Sequence, residues 1–231
     1  MAEQTIDITR PGLRGPRAAA IAGILFSILF GTGYTMIQLT IPRLTSDSAA
    51  ITEDQLKFLS LGLSFLPFAG MAFLWFMAVL REHMGALEDQ FFSTLYLGSG
   101  FLYIGMVFTA AAVGTGLMVA YSIAPEIIAN GDAYLLARSI SQRITTIYTI
   151  RMAGMFMTVL GTIWVRTQLL PRWLALLTFI FAVVLLISIG FSPWVMLVFP
   201  VWVIIISTYI LYLNYLFKQG DLQFDLQTPK K

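Results

Sequence analysis

A chain of 231 residues that is 58% hydrophobic and only 11% charged, with a mean hydropathy of +0.82, is too apolar for a water-soluble globule, since soluble domains run nearer half apolar and a quarter charged. It has no cysteine, which excludes disulfides, thiolate nucleophiles and cysteine-held iron–sulfur clusters together; a single histidine, His83, excludes multi-histidine metal sites. The net charge of +2 is small and scattered, and predicts no nucleic-acid partner.

A hydrocarbon core of about 30 Å needs roughly 20 apolar residues in a helix. Runs of that length occupy Ala18 to Ile41, Phe58 to Leu80, Phe91 to Tyr121, Ile144 to Val165, Trp173 to Phe191 and Trp194 to Phe217, 143 residues in all. The predicted fold is therefore all-α: a polytopic transmembrane bundle of six spans over 18–217, with 1–17 and 218–231 as terminal segments. The count falls to five if Ser192 and Pro193 merely kink one long helix. Arg10, Arg14 and Arg17 precede the first run as in a signal peptide. That run is long and ends in Thr40, Ile41, Pro42 and Arg43 without a small-residue cleavage pattern, so it is expected to be retained.

Orientation follows from the basic residues flanking the spans. One side carries Arg10, Arg14, Arg17, Arg81, Arg166, Arg172, Lys218, Lys230 and Lys231, and the other Arg43, Lys57, Arg138 and Arg143. Nine against four predicts both termini in the cytoplasm. Trp164 and Trp173 are then expected at the inner interface and Trp194 at the outer, with Tyr212 and Tyr215 anchoring the last span. Pro42 to Lys57 reads as a solvated connector. Ser122 to Arg143 reads as a loop with a turn at Pro125 to Gly131 and a helix start at Asp132. Between the second and third spans, Gly85 ends one helix while Glu88 and Asp89 cap the next. The alternative, a metal cluster of His83, Glu82, Glu88 and Asp89, has no recognised ligand spacing, so no metal or cofactor is expected. No internal repeat of the transporter kind is visible.

In lipid, stripes of small residues let helix backbones approach. The third span carries Thr94, Gly98, Gly105, Thr109, Ala112 and Gly116 near one line, so it is expected to be central. Its length of 31 residues requires tilt, protrusion or a break at Gly98 to Gly100 or Gly114 to Gly116. The fourth span carries Gly154, Thr158 and Thr162, with the bulky Phe156, Leu160, Ile163 and Trp164 expected toward lipid. Pro67 and Pro200 are expected to kink the second and last spans.

Arg151 is the one ionisable side chain inside a predicted span, on the stripe of Gly154, Thr158 and Thr162. A charge at membrane depth costs about 2.5 to 3.5 kcal/mol on insertion scales and requires a partner. The sources are Glu126 or Asp132 from the outer loop, Gln38 and Tyr34 on the first span, or an anion. The plainest alternative is a snorkelling arginine that pins the adjoining loop. Hydrolase, metalloprotease and phosphate-loop signatures are absent from the sequence.

The stretch Phe73, Leu74, Trp75, Phe76, then Leu80, Arg81, Gly85, Glu88, Asp89, Phe91, Phe92 and Gly98, Ser99, Gly100 resembles a pattern in uncharacterised bacterial multi-pass membrane proteins. The resemblance covers about 28 residues and the six-span layout. It implies bacterial inner-membrane placement and assigns no functional residue. The expected function is non-catalytic: an accessory or scaffold subunit contacting membrane lipids and the helices of other membrane subunits. The alternative is a channel or transporter for a small solute or anion, with Arg151, Gln38 and Tyr34 lining an outer vestibule.

Overall fold

The computed structural model describes residues 15–40, 52–84, 90–123, 132–168, 170–188 and 192–227. Arg10, Arg14, Arg43, Gly85, Glu88, Asp89, Glu126, Lys230 and Lys231 lie outside the described residues, as do the side chains of His83, Asp132 and Lys218. Every element among the described residues is helical. They are α1 (Gly15–Thr40), α2 (Glu53–Met84), α3 (Gln90–Ile123), α4 (Asp132–Arg143), a π-helical stretch (Ile144–Thr149), α5 (Ile150–Thr167), α6 (Arg172–Ile187), a 3-10 turn (Pro193–Leu197) and α7 (Val198–Gln227).

Among the described residues five helices are long and apolar enough to cross a membrane: Arg17–Thr40, Glu53–Glu82, Gln90–Ile123, Leu135–Thr167 and Pro193–Tyr215. The expected six full crossings are corrected at α6. Its 16 residues reach only about 24 Å. Ser192 and Pro193 do more than kink a helix: α6 ends at Ile187, and Ser192 is extended at φ −162°, ψ 141°. A residue before proline avoids the helical region, and the Ser192 hydroxyl then accepts from the Trp194 N–H at 3.3 Å to start the next turn.

Of the alternatives for the third span the break is absent: α3 is unbroken over 34 residues, about 51 Å in all, which leaves tilt or protrusion for the excess over the core. Other expectations change. A helix does start at Asp132, as expected, but α4, the π stretch and α5 run on continuously, so the fourth candidate span, Leu135–Thr167, begins before Ile144; α7 continues to Gln227 beyond the predicted span. Pro200 is the third residue of α7, in the first turn, where helix N–H groups have no intrahelical partner to lose.

Sequential neighbours pack antiparallel, and the last helix returns to the first. Gly33 meets Gly62 between α1 and α2, and Gly100 meets Met77 between α2 and α3. Tyr96 and Phe156 stack between α3 and α5 at 4.9 Å, and Gly154 lies under Leu186 between α5 and α6. Trp202 of α7 donates from Nε1 to the Thr178 hydroxyl of α6 at 2.9 Å. Ser207 of α7 packs onto Gly23 of α1 and closes the ring. α1 and α7 therefore bring Gly15 and Gln227 to one end; the opposite end is called distal below.

The ring is filled, not hollow. Phe26, Phe73, Tyr103, Phe156 and Phe199 are fully buried, with Tyr103–Phe199 at 4.6 Å, Phe73–Tyr103 at 5.2 Å and Phe73–Phe156 at 5.4 Å between ring centroids. Large apolar side chains such as Ile21, Phe68, Trp75, Phe101 and Ile180 face outward instead, a surface suited to hydrocarbon and not to water. Trp164, expected at an interface, is 2% exposed and packs on Trp202. Phe156, Leu160 and Ile163, expected toward lipid, are buried with it. Space inside a six-helix ring must be filled by volume, and these bulky residues supply it.

The small-residue stripe of α3 points the other way. Thr94, Gly98, Gly105, Thr109, Ala112 and Gly116 are all exposed, and a Cβ at Gly98, Gly105 or Gly116 would meet nothing within 4 Å. α3 packs on its own chain through Tyr96, Ser99, Gly100, Tyr103, Ile104, Val107, Ala110 and Ala111. It is a member of the ring and not its centre. Gly154, in contrast, does sit at a helix contact, with Leu186 Cγ 2.9 Å from the place of a Cβ, and Thr158 and Thr162 are half-buried on the same helix.

The Tyr103 hydroxyl is buried and has no hydrogen-bond partner among the described residues. An unsatisfied buried hydroxyl costs about 1 to 3 kcal/mol, so Tyr103→Phe is expected to leave stability unchanged or raise it, read as the unfolding midpoint in mixed micelles.

Candidate functional site

The shortness of α6 leaves space at the distal end. Tyr34 stands six residues before the last residue of α1, about 9 Å below it along the axis. Its hydroxyl nevertheless donates to the Pro193 carbonyl at 2.7 Å. The turn into α7 therefore lies well inside the bundle. A backbone carbonyl in an apolar interior must find a donor, and Tyr34 provides one. Gln38, one turn further along α1, donates from Nε2 to the same Tyr34 oxygen at 2.8 Å.

Over this turn lies a cavity of about 210 Å³, lined by α1 to α4, the π stretch and the 3-10 turn. Phe30, Leu66, Val107 and Met196 supply apolar lining, as do Leu59, Leu63 and Leu117 further along α2 and α3. Polar lining comes from Tyr34, Gln38 and Tyr121 and from one strip: Arg138, Ser141, Gln142, Thr145 and Thr146. Most of its hydroxyl protons are already committed. Ser141 Oγ donates to the Ala110 carbonyl at 3.0 Å, Thr145 Oγ1 to Ser141 at 3.0 Å and Thr146 Oγ1 to Gln142 at 2.8 Å. Arg138 is half-buried, and the one ion pair among the described residues, Lys57 with Glu53, lies elsewhere.

The π stretch carries two of the lining residues, Thr145 and Thr146, and widened helical turns of this kind frequently accompany functional sites. Side chains satisfy its displaced carbonyls. Thr149 Oγ1 donates to Ile144 at 3.0 Å and Arg151 Nη1 donates to Ile147 at 3.0 Å. The partner of Arg151 is thus a neutral carbonyl of its own helix. Arg151 does not line the cavity.

Of the three residues expected to share a vestibule, the structure joins Tyr34 and Gln38 and leaves Arg151 outside. Arg138 takes its place. The signal was present, because Arg138, Ser141, Gln142, Thr145 and Thr146 fall at i, i+3, i+4, i+7 and i+8, one face of a helix. Assigning the helix that starts at Asp132 to the connection between spans, and not to the fourth span, concealed it. No group of three or more His, Asp or Glu that could hold a metal occurs among the described residues.

Comparisons of the chain with protein-family models, with curated proteins and with solved structures give no match. The fold and the cavity define a class, a multi-helix bundle of membrane-spanning composition with an amphipathic cavity above the turn between α6 and α7.

Proposed function

We propose that this chain is a non-catalytic, multi-pass protein of a bacterial inner membrane, with both termini cytoplasmic, acting as an accessory or scaffold subunit. The outward face of α3 carries this reading. Gly98, Gly105, Thr109 and Gly116 form the groove in which a second helix can approach closely, yet no described helix of the chain occupies it. The excess of basic residues on the terminal side supports the orientation.

The test is native gel migration in mild detergent. The wild-type chain should run in an assembly larger than its own mass. Gly105→Leu should release it as a monomer without lowering its unfolding midpoint, because a Cβ there meets nothing within 4 Å among the described residues. A wild-type chain that runs alone as a stable monomer overturns the proposal.

A second reading, a solute or anion transporter, is favoured by one observation: Tyr34, Gln38 and Arg138 share a distal cavity. The interlocked rings of Phe26, Phe73, Tyr103, Phe156 and Phe199 fill the bundle interior. A transporter would have to separate them in each cycle.

A further inference from the structure

We propose that the distal cavity binds a single-chain, monoanionic amphiphile, a long-chain carboxylate, with its head at Arg138 and its chain along the α2–α3 wall. This does not depend on the accessory role proposed above.

The head is defined by what the polar wall still offers. Among the described residues no Asp or Glu lines the cavity and Arg138 forms no ion pair. It lies six residues into α4, about 9 Å from the start of that helix, and half-buried. A guanidinium in such surroundings requires an acceptor. With the Ser141, Thr145 and Thr146 protons directed at backbone carbonyls, the donors left are Arg138, the Gln142 amide and the second N–H of Gln38. One cation with neutral amides matches a single negative charge, and a planar carboxylate accepts a guanidinium in bidentate fashion.

The tail is defined by the opposite wall. On α2 the lining runs from Leu56 to Leu66, and on α3 from Val107 to Tyr121, about 15 Å and 21 Å along the two helix axes. Both stretches are dominated by leucine, alanine, valine and methionine. An apolar cavity of roughly 150 Å³ already stays dry and accepts a benzene-sized ligand; at about 210 Å³ this one takes more apolar matter than that. Its length suits an extended chain better than a compact solute.

The experiment is equilibrium binding of radiolabelled palmitate to the full chain in phosphatidylcholine nanodiscs, with empty nanodiscs subtracted. Saturation at one palmitate per chain is expected. Arg138→Gln should weaken binding about tenfold, the effect of losing one charge-assisted pair, while Arg138→Lys should retain most of it. Gly114→Leu should abolish binding by filling the slot beside Leu63, which already lies 3.3 Å from the position of a Cβ. Unlabelled palmitate should compete and methyl palmitate should not. Binding that does not saturate, that is equal in wild type and Arg138→Gln, or that methyl palmitate displaces as well as palmitate does, overturns the proposal. The two Arg138 variants keep the test decisive should Gly114→Leu fail to fold.

Discussion

Gly62→Ala is expected to destabilise the protein by about 3 kcal/mol, the upper end of ordinary overpacking costs, when unfolding is followed in mixed micelles. A Cβ at Gly62 would stand 2.9 Å from the Gly33 carbonyl oxygen and 3.1 Å from Met36 Cβ; reciprocally, a Cβ at Gly33 would stand 2.8 Å from the Gly62 oxygen. The obstacle is main chain on both sides, so no side-chain rotation relieves it. The two helices must part along their whole contact. Gly105→Ala supplies the opposite sign, because that Cβ meets nothing and alanine gains up to about 1 kcal/mol in a helix interior. Equal effects at the two positions would show that the α1–α2 crossing is not as close as described.

Phe73→Ala is expected to remove about 3 kcal/mol or more. The Phe73 ring lies against Phe26 at 5.0 Å, Tyr103 at 5.2 Å, Phe156 at 5.4 Å, Phe199 at 5.6 Å and Phe76 at 6.2 Å. It therefore touches rings from α1, α2, α3, α5 and α7. Phenylalanine truncations in soluble cores cost about 3 to 5 kcal/mol. The lower figure applies here, because a chain unfolded in lipid already has its ring in an apolar medium and loses mainly packing attraction. Phe68→Ala on the same helix is the control. At 57% exposed it should change stability by less than about 0.5 kcal/mol. Comparable losses at Phe68 and Phe73 would contradict a filled interior.

Hydropathy alone made the helical class and the approximate positions of the long helices legible. Which face of each helix points inward was far less so. In water the apolar side turns in, but in lipid both sides are apolar and the usual periodicity fades. Small residues then looked like the natural contact on α3, whereas the chain buries Tyr96, Tyr103 and Val107 and leaves Gly98 and Gly105 outside. A better guide was available on the first helix. Ala19, Gly23 and Ser27 recur every fourth residue and are all buried, and Gly23 receives Ser207.

The cavity was half legible. Tyr34 and Gln38 stand one turn apart, and their shared hydrogen bond follows from that spacing. The floor did not follow, because the stop signals Ser188 and Gly190 lie inside the apolar run Trp173 to Phe191, which was read as one span. The turn that follows is held by the Tyr34 hydroxyl, which donates to the Pro193 carbonyl across 159 residues of chain. Arg138 was hidden by the assumption that polar residues between spans belong to a connection. Here Arg138, Ser141 and Thr145 belong to the helix of a candidate span and line the cavity.

The seam between α1 and α7 bears on biogenesis. Gly23 and its partner Ser207 are separated by more than 180 positions of chain, which at about 5 to 20 residues per second takes a ribosome roughly 10 to 40 seconds to synthesise. Throughout that interval the flank of α1 that will receive α7 has only lipid or a chaperone to lean on. Quality control in the membrane should therefore recognise nascent forms of this protein by an unmated first helix, and truncations upstream of Phe199 should be degraded even though every earlier crossing has been made.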